Sequence, residues 1–452
     1  MAIQGSATIY APATASGLAA VAIIRLSGPG CAAVCQRLTK RAPPPPRHAS
    51  LRRLFDPANG ELLDAGLVIW FPAPASFTGE DVLELQVHGG RAVTGGLLDL
   101  LARLPGVRPA EPGEFTRRAF MNGRLDLTAA EGLADLIAAE TQGQARQALR
   151  QLDGELGRLY ERWRSGLLDA LARLEAEIDF APEEEVPEGL LADVGPRIAR
   201  LSAEIAEHLA DERRGERLRE GLTVAVIGPP NAGKSSLVNR LARRDVAIVT
   251  ARPGTTRDVL EVHLDLGGYP VTVLDTAGLR EVADEVEAEG VRRALARAEQ
   301  ADLCLAVFDA ERWPELDRAT LRLLDERALA VVNKADLGGL PAAVEAAGRD
   351  ALPLSCLTGV GFERLLACLT EAAAQRMAPG DQPALTRNRH RSALWVAHEA
   401  LERFLAAPRA DAELALLAED LRTAAQAIGR VTGAVGVEDI LDRIFAEFCI
   451  GK

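Results

Sequence analysis

The sequence predicts a multidomain α/β and all-α protein. An N-terminal α+β domain precedes a discontinuous helical domain, into which a second α/β domain is inserted. Three observations predict this. Short apolar or alternating runs bounded by turn residues fill the first 120 residues. Apolar stripes stepping by three or four residues occur on both sides of a central stretch. That stretch alternates strand-like and helix-like segments, the pattern of a mostly parallel sheet covered by helices. The expected boundaries are 1–120, 121–220, 221–375 and 376–452, the second and fourth segments forming one helical domain.

The elements follow in order. Residues 20–26 (AVAIIRL), 66–71 (GLVIWF) and 82–87 (VLELQV) read as strands, and the prolines at 43–46 as a surface loop. A Gly89-Gly90 turn leads into a helix carrying Leu97, Leu98, Leu101 and Leu104. Leu149, Leu152, Leu156, Leu159, Trp163, Leu167, Leu171, Leu174 and Ile178 then form one stripe on a long helix. Ile198, Leu201, Ile205 and Leu209 repeat the pattern after an acidic, proline-bearing break at 182–187. It returns at Leu394, Leu401 and Leu405, and at Leu414, Leu417, Leu421 and Ile428. Each stripe needs a facing stripe to bury it. Central strands are expected at 223–227, 259–266, 271–274, 303–308, 329–332 and 352–354.

A length of 452 residues agrees with about three domains. Hydrophobic residues at 48% and charged residues at 26% allow large buried cores and exclude disordered and fibrous classes. The net charge of −13 argues against a general polyanion binder, leaving contact through a local patch or a partner. Arg387, Arg389 and Arg391 form one compact basic candidate for such contact. Six scattered cysteines complete no zinc-like set, so reduced thiols in a cytosolic protein are expected, Cys31 and Cys35 sharing a helical face. The first residues lack the pattern of a secretory signal, and no apolar run reaches the roughly 18 residues of a membrane helix. A cytoplasmic protein without membrane contact is expected.

The strongest chemical signal is Gly228-Pro-Pro-Asn-Ala-Gly-Lys-Ser235, which fits G-x-x-x-x-G-K-[ST] between an apolar strand and an apolar helix. Glycines let backbone N–H groups turn around phosphate oxygens, and the helix N-terminus adds positive potential. Lys234 is expected to reach the outer phosphates and the Ser235 hydroxyl to ligate Mg²⁺. Asp275-Thr-Ala-Gly278 ends the strand at 271–274, suiting Asp275 to support Mg²⁺ and Gly278 to sense the γ-phosphate. Asn333-Lys-Ala-Asp336 ends another strand, and Asp336 can accept both guanine N–H groups, which adenine lacks. Ser355, Cys356 and Leu357 offer backbone donors to the guanine carbonyl. In this order and spacing the segments resemble the translation-factor-related GTPases and specify GTP. Thr255 and Thr256 sit where such proteins keep a mobile switch loop, with Thr256 as the Mg²⁺-sensing hydroxyl.

Leu279 occupies the position where many GTPases carry a water-orienting Gln. Hydrolysis therefore needs another group, and Glu281, Asp284, Glu285, Glu287 and Glu289 offer carboxylates nearby. A positive finger is also missing. The Asn231 side-chain oxygen and carbonyls of the 250–255 loop can hold a monovalent cation such as K⁺, which would neutralise charge building between the β- and γ-phosphates.

Over nearly its whole length the chain resembles the MnmE (TrmE) family of tRNA-modification GTPases. The segments that carry the likeness are Phe77-Thr-Gly-Glu-Asp-Val-Leu-Glu-Leu85, Pro112-Gly-Glu-Phe-Thr116, the phosphate loop through Ser236, Gly254-Thr-Thr-Arg-Asp258, Asp275-Thr-Ala-Gly-Leu-Arg280 and the terminal Phe448-Cys-Ile-Gly-Lys452. The resemblance implies a Ras-like P-loop GTPase domain and K⁺-stimulated hydrolysis driven by homodimerisation. It places K⁺ at Asn231 and at carbonyls of Thr250, Arg252 and Thr255, and Mg²⁺ at Ser235 and Thr256. The GTP-contacting set it implies is Asn231, Ala232, Gly233, Lys234, Ser235 and Ser236; Thr250, Ala251, Arg252, Pro253, Gly254, Thr255 and Thr256; Asp275, Thr276, Ala277 and Gly278; and Asn333, Lys334, Asp336, Ser355, Cys356 and Leu357. It assigns catalysis to Lys234 and to a water-positioning Glu287, which spacing alone does not choose over its acidic neighbours. Arg252-Pro253 departs from the family pattern within the cation loop.

The same resemblance implies that residues 1–120 bind a tetrahydrofolate derivative (5-formyl- or methylene-tetrahydrofolate) as one-carbon donor and take part in dimerisation. Arg25, Glu84, Arg124 and Lys452 are the matching positions. Glu84 would pair a pterin edge, and a cation would meet the glutamate tail. Cys449 is open between a nucleophile and an ordinary free thiol. The partners implied are tRNA and the FAD-binding protein MnmG, in a heterotetramer or larger assembly. The rival readings are a ribosome-assembly GTPase without a modification role, and an ATPase or kinase, which Asn333-Lys-Ala-Asp336 disfavours.

Overall fold

The computed structural model describes residues 7–15, 17–180, 193–244, 246–248, 261–275, 300–341, 344–346, 348–378, 380, 382–407, 414–436, 438–446, 448 and 451. The chain divides into two compact units. Residues 1–134, 151–194 and 406–452 form one, and residues 135–150 and 195–405 form the other.

In the first unit β1 (Thr8–Pro12), β2 (Val21–Ser27), β3 (Ser50–Phe55), β4 (Leu62–Phe71), β5 (Val82–His88) and β6 (Val107–Pro109) make one sheet in the order β3-β4-β5-β2-β1-β6. Only the β1–β6 pair is parallel. Alternate strand residues (Ile24, Leu26, Leu54, Val68, Leu83 and Leu85) face α1 (Cys31–Thr39) and α2 (Arg91–Ala102), where Cys31, Val34, Leu38, Leu97 and Leu101 complete the core. The period of two sends Arg25 and Glu84 to the other face. Cys31 and Cys35 are buried free thiols in α1, as their spacing suggests.

Helices α3 (Glu114–Met121) and α4 (Leu127–Ala138) follow, then α5 (Gln142–Leu152) and α6 (Glu155–Phe180). The long stripe is therefore not one helix. Gly154 adopts φ +83°, and the turn at Asp153-Gly154 ends α5 before α6 begins. Tyr160, Trp163, Leu167 and Leu174 of α6 are buried, as are Leu417, Leu421 and Ile428 of α13 (Leu414–Thr432), which packs along it. The last helix, α14 (Glu438–Ala446), buries Leu441, Ile444 and Phe445 with Phe448 against Leu127 and Ala130.

The second unit holds most of α5 together with α7 (Val194–Leu209), α8 (Arg214–Glu220), α9 (Lys234–Ala242), α10 (Arg318–Leu321), α11 (Phe362–Met377) and α12 (Asn388–Ala406). Its sheet contains β7 (Leu222–Ile227), β8 (Glu261–Leu266), β9 (Tyr269–Asp275), β10 (Leu303–Asp309), β11 (Ala328–Asn333), β12 (Glu345–Ala346) and β13 (Arg349–Pro353), in the order β12-β13-β11-β10-β7-β9-β8. The central strands are parallel and only β8 and β12 run antiparallel to their neighbours. Strands buried on both faces are continuously apolar, as in LCLAVF of β10. The stripe of α7 faces α12: the Ser202 hydroxyl lies 3.0 Å from His398 Nδ1 and donates to Glu402 at 2.7 Å. No described helix is long and apolar enough to cross a membrane.

Candidate functional site

The phosphate loop leaves β7 at Gly228 and enters α9 at Lys234, at the carboxyl end of the parallel strands. Gly233 caps α9 with φ +93°, and no side chain caps the helix, so its first N–H groups are available to an anion. A Cβ at Gly233 would run into the side-chain amide of Asn333. Lys234 Nζ donates to the carbonyls of Gly228 at 2.8 Å and Pro229 at 2.9 Å. Burial holds the Lys234 pKa below its ordinary value, against the pull of Asp275 and Asp317. Such a partly dehydrated ammonium gains more from a phosphate than an exposed one. Ser235 and Ser236 are exposed at the start of α9, and Asn231 is exposed at φ +63°. Asp275 is buried at the end of β9, in register with Val226.

A second cluster stands at the ends of β11 and β13. Asn333 is buried; its Nδ2 donates to the carbonyl of Ala232 at 2.9 Å, and its Oδ1 accepts the N–H of Cys356 at 3.0 Å. Lys334 takes φ +66° and its Nζ donates to Asp309 at 2.7 Å and Glu311 at 3.0 Å. Ser355 is buried, accepts the N–H of Thr358 at 3.0 Å on its hydroxyl, and so shapes the Ser355–Gly359 turn. Asp336 and Leu357 are exposed, and the Asp336 carboxylate has no partner among the described residues. Burial pushes the Cys356 thiol up to about 11, so it stays protonated near neutral pH.

In the first unit Arg25 and Glu84 are register partners on β2 and β5. Arg25 Nε and Nη2 donate to Glu84 Oε1 at 3.0 and 2.9 Å, and the guanidinium lies 5.9 Å from the Phe77 ring centroid. Arg124 packs beside Gly79, two residues after Phe77. Gly451 is buried with φ +104°, and a Cβ there would meet the carbonyl of Pro12, the neighbour of Ala11, which pairs with Arg25.

The structure thus brings the phosphate loop and the Asn333 and Ser355 segments together, and separately Arg25 with Glu84. Thr250, Ala251, Arg252, Pro253, Gly254, Thr255, Thr256, Thr276, Ala277, Gly278, Leu279, Glu287, Cys449 and Lys452 lie outside the described residues. Two contributors have no motif to betray them. Arg240 Nη1 donates to the carbonyls of Cys356 at 2.6 Å and Leu357 at 3.1 Å; its one signal is a cation six residues after Lys234 on the same helix. Arg118 is buried, paired with Glu80 and Glu114 at 2.9 Å each, and donates to the carbonyl of Ala7 at 3.0 Å. The basic candidate at 387–391 turns inward instead. Arg387 pairs with Asp135 at 2.8 Å, Arg391 pairs with Asp211 at 2.6 Å and Glu216 at 3.1 Å, and His390 is fully buried.

Comparison with known proteins covers nearly the whole chain. The family model described as MnmE helical domain matches residues 127–449, and that described as GTP-binding protein TrmE N-terminus matches residues 8–124. A tRNA modification GTPase MnmE of Paramagnetospirillum magneticum is 56% identical over 449 residues, spanning 99% of this chain and 100% of that protein. Its namesake in Rhodospirillum rubrum is 57% identical over 459 residues, or 98% and 99% of the two chains. The mitochondrial 5-taurinomethyluridine-[tRNA] synthase subunit GTPB3 of Danio rerio is 48% identical over 473 residues, or 99% and 94%.

Proposed function

The chain belongs to the MnmE family of tRNA-modification GTPases, and from that premise we propose a K⁺-stimulated GTP hydrolase acting on the tRNA wobble uridine. Its GTP-binding domains pair within a homodimer to become active. It works in the cytoplasm with the flavoprotein MnmG, in a heterotetramer or larger assembly, to install an aminomethyl or carboxymethylaminomethyl group at C5. Flavin chemistry is then the partner's. GTP hydrolysis drives opening and closing of the complex rather than the carbon chemistry.

The observation that carries the GTPase part is one buried amide, Asn333, hydrogen-bonded to both the phosphate loop and the Ser355 segment. Phosphate oxygens would replace the Gly228 and Pro229 carbonyls at Lys234 Nζ and meet the uncapped N–H groups of α9. Asp336, with a carboxylate free of described partners, suits the two N–H groups of guanine.

The described part of each ion site fits its ion. The Ser235 hydroxyl is exposed at the start of α9, so Ser235 and Thr256 would hold Mg²⁺. The Asn231 side chain is exposed and engaged by no described residue, so with carbonyls of Thr250, Arg252 and Thr255 it would hold K⁺. K⁺ supplies positive charge where it builds between the β- and γ-phosphates. Glu287 orients the attacking water. In the first unit both Arg25 nitrogens bond one oxygen of Glu84, which leaves its second oxygen to accept from a pterin edge. Arg25, Glu84, Arg124 and Lys452 together would hold the tetrahydrofolate derivative.

The test is GTP turnover in K⁺ against Na⁺, with tRNA analysis of a deletion strain. The rate is expected to be several-fold higher in K⁺, and Asn231→Ala to remove most of that difference. Equal rates in the two salts reject the cation. Normally modified wobble uridine in the deletion strain rejects the modification role.

A further inference from the structure

The first acidic residue of this chain is Asp56; residues 1–55 contain seven Lys or Arg and no Asp or Glu. With 65 acidic residues in 452, a stretch of that length would hold about eight. Six of the seven cations (Arg37, Lys40, Arg41, Arg47, Arg52 and Arg53) fall within 17 residues, between 37 and 53.

The fold gathers them at one edge of the N-terminal sheet. Arg37 lies in the last turn of α1, Lys40 caps it, and Arg41 follows. Arg52 and Arg53 belong to β3, the edge strand against which α1 packs; Arg52 shares the α1 face with the core residue Leu54 and Arg53 projects from the opposite face, so the cations border the edge on both sides. Lys40 Nζ sits 4.2 Å from the centroid of Phe55, which ties the two elements. Arg47, in the connection from α1 to β3, is anchored to the end of β4 and the loop after it, its backbone N–H donating to the carbonyl of Trp70 at 2.8 Å and its guanidinium to the carbonyl of Ala75. All six except the half-buried Arg52 are exposed, and none has a carboxylate partner among the described residues. The nearest carboxylates along the β3–β4 hairpin are engaged: Asp56 lies 3.8 Å from Arg103, Glu61 is 3.4 Å from the Asn59 amide, and Asp64 is 2.7 Å from His88.

Two structural roles explain part of this. Cations at a helix C-terminus oppose its dipole, and charges on an edge strand discourage pairing with another chain. One or two charges serve either role, and both tolerate acids nearby. Six unpaired cations within an acid-free stretch repel one another, in a chain whose net charge is −13. A polyanion relieves that repulsion. Among the described residues no exposed Phe, Tyr or Trp ring accompanies the cations and His48 is the one exposed aromatic ring beside them, so they suit phosphate contact more than base stacking.

We infer that the α1–β3 edge is a docking surface for the phosphate backbone of tRNA. The inference rests on the tRNA reading above and adds where the RNA lies. Contacts of this kind position the RNA and leave its sequence unread.

The experiment measures binding of a tRNA transcript to the full-length protein across a salt series. The fourfold variant R37A/K40A/R41A/R53A is expected to lose about tenfold or more in affinity at low salt. Its plot of log K against log salt should be shallower by up to about 0.9 for each phosphate contact removed. GTP turnover without tRNA should match the wild type, since these residues are outside the nucleotide site, and the melting temperature should fall by no more than a few degrees through loss of the Lys40–Phe55 contact. Unchanged affinity and slope in the variant overturn the docking surface alone. Equal loss in R243A/R364A, two exposed arginines of the other unit, overturns it by showing a general charge effect. Wild-type protein that hydrolyses GTP yet binds no tRNA overturns the tRNA reading as well. Loss of binding to anionic phospholipid vesicles, with tRNA binding kept, assigns the edge to a membrane and overturns the inference.

Discussion

Asn333 Nδ2 holds the carbonyl of Ala232 at 2.9 Å, and through that bond the end of β11 is clamped to the phosphate loop. The same side chain accepts the N–H of Cys356, so one amide orders two loops. Asn333→Ala would leave both backbone groups without that partner. An orphaned buried group costs about 1–3 kcal/mol, so denaturant unfolding should report at least one such loss. Affinity for GDP, measured calorimetrically, should fall tenfold or more because both walls of the pocket lose their register. Asn333→Asp keeps the Cys356 contact but sets a carboxylate oxygen against the Ala232 carbonyl, and should do no better. Wild-type affinity in both variants contradicts the clamp.

Gly233→Ala tests the loop from the opposite side. The backbone there sits at φ +93°, and the added methyl meets Asn333. Strain at such a φ costs on the order of 1 kcal/mol, and displacement of Asn333 adds the clamp's loss. Nucleotide binding should fall below detection while the first unit, probed by proteolysis, stays intact. A variant that binds GDP normally would mean the loop relaxes freely around the methyl.

Asp336→Asn tests the base. The exposed carboxylate proposed to accept two guanine N–H groups becomes an amide that would present a donor to one of them. Charged hydrogen bonds contribute about 1.5–3 kcal/mol each, so GTP should weaken by about a hundredfold. Xanthosine triphosphate, with a carbonyl in place of the guanine amino group, should bind the variant better than GTP does. Competition between the two nucleotides decides it, and an unchanged preference for GTP removes Asp336 from the pocket.

Much of this architecture is legible from local patterns. β2, β5, β7, β9, β10 and β11 lie where apolar or alternating runs end at turn residues, because burial on one or both faces sets the pattern. The break at Asp153-Gly154 escapes a periodicity argument: α5 and α6 both carry the stripe, and only the backbone turn separates them. Short edge elements such as β1, β3 and β6 carry too few residues for a clear period. Pairing is harder still. Arg25 and Glu84 each sit in strand-like runs, but their contact depends on the β2–β5 register across a separation of 59 positions. Arg391 shows the converse. Its neighbours in sequence are basic, yet its neighbours in space are Asp211 and Glu216, so a cationic run becomes an internal ion-pair network. Arg118 and Arg240 carry no motif because their roles arise from tertiary contacts alone.

His208 gives the acid limb of the stability curve. It ends α7, almost fully buried, facing Asp211, Gln382, Arg391 and His390. Burial pushes its pKa down to about 4; Asp211 and Gln382 oppose that shift, while Arg391 and His390 add to it. Well above pH 6.5 the ring is neutral in both states and contributes no pH dependence. Between that value and about 4 the unfolded chain takes a proton that the native site refuses. Stability therefore falls as pH drops through this window and levels off below it. At 1.36 kcal/mol per unit the loss from this group is about 2 kcal/mol by pH 5. His208→Gln keeps a polar side chain but cannot titrate. Urea unfolding at pH 7 and pH 5 should show the wild type losing about 2 kcal/mol more than the variant between the two. Equal losses would mean that His208 gains its proton in the folded protein as readily as in the unfolded chain.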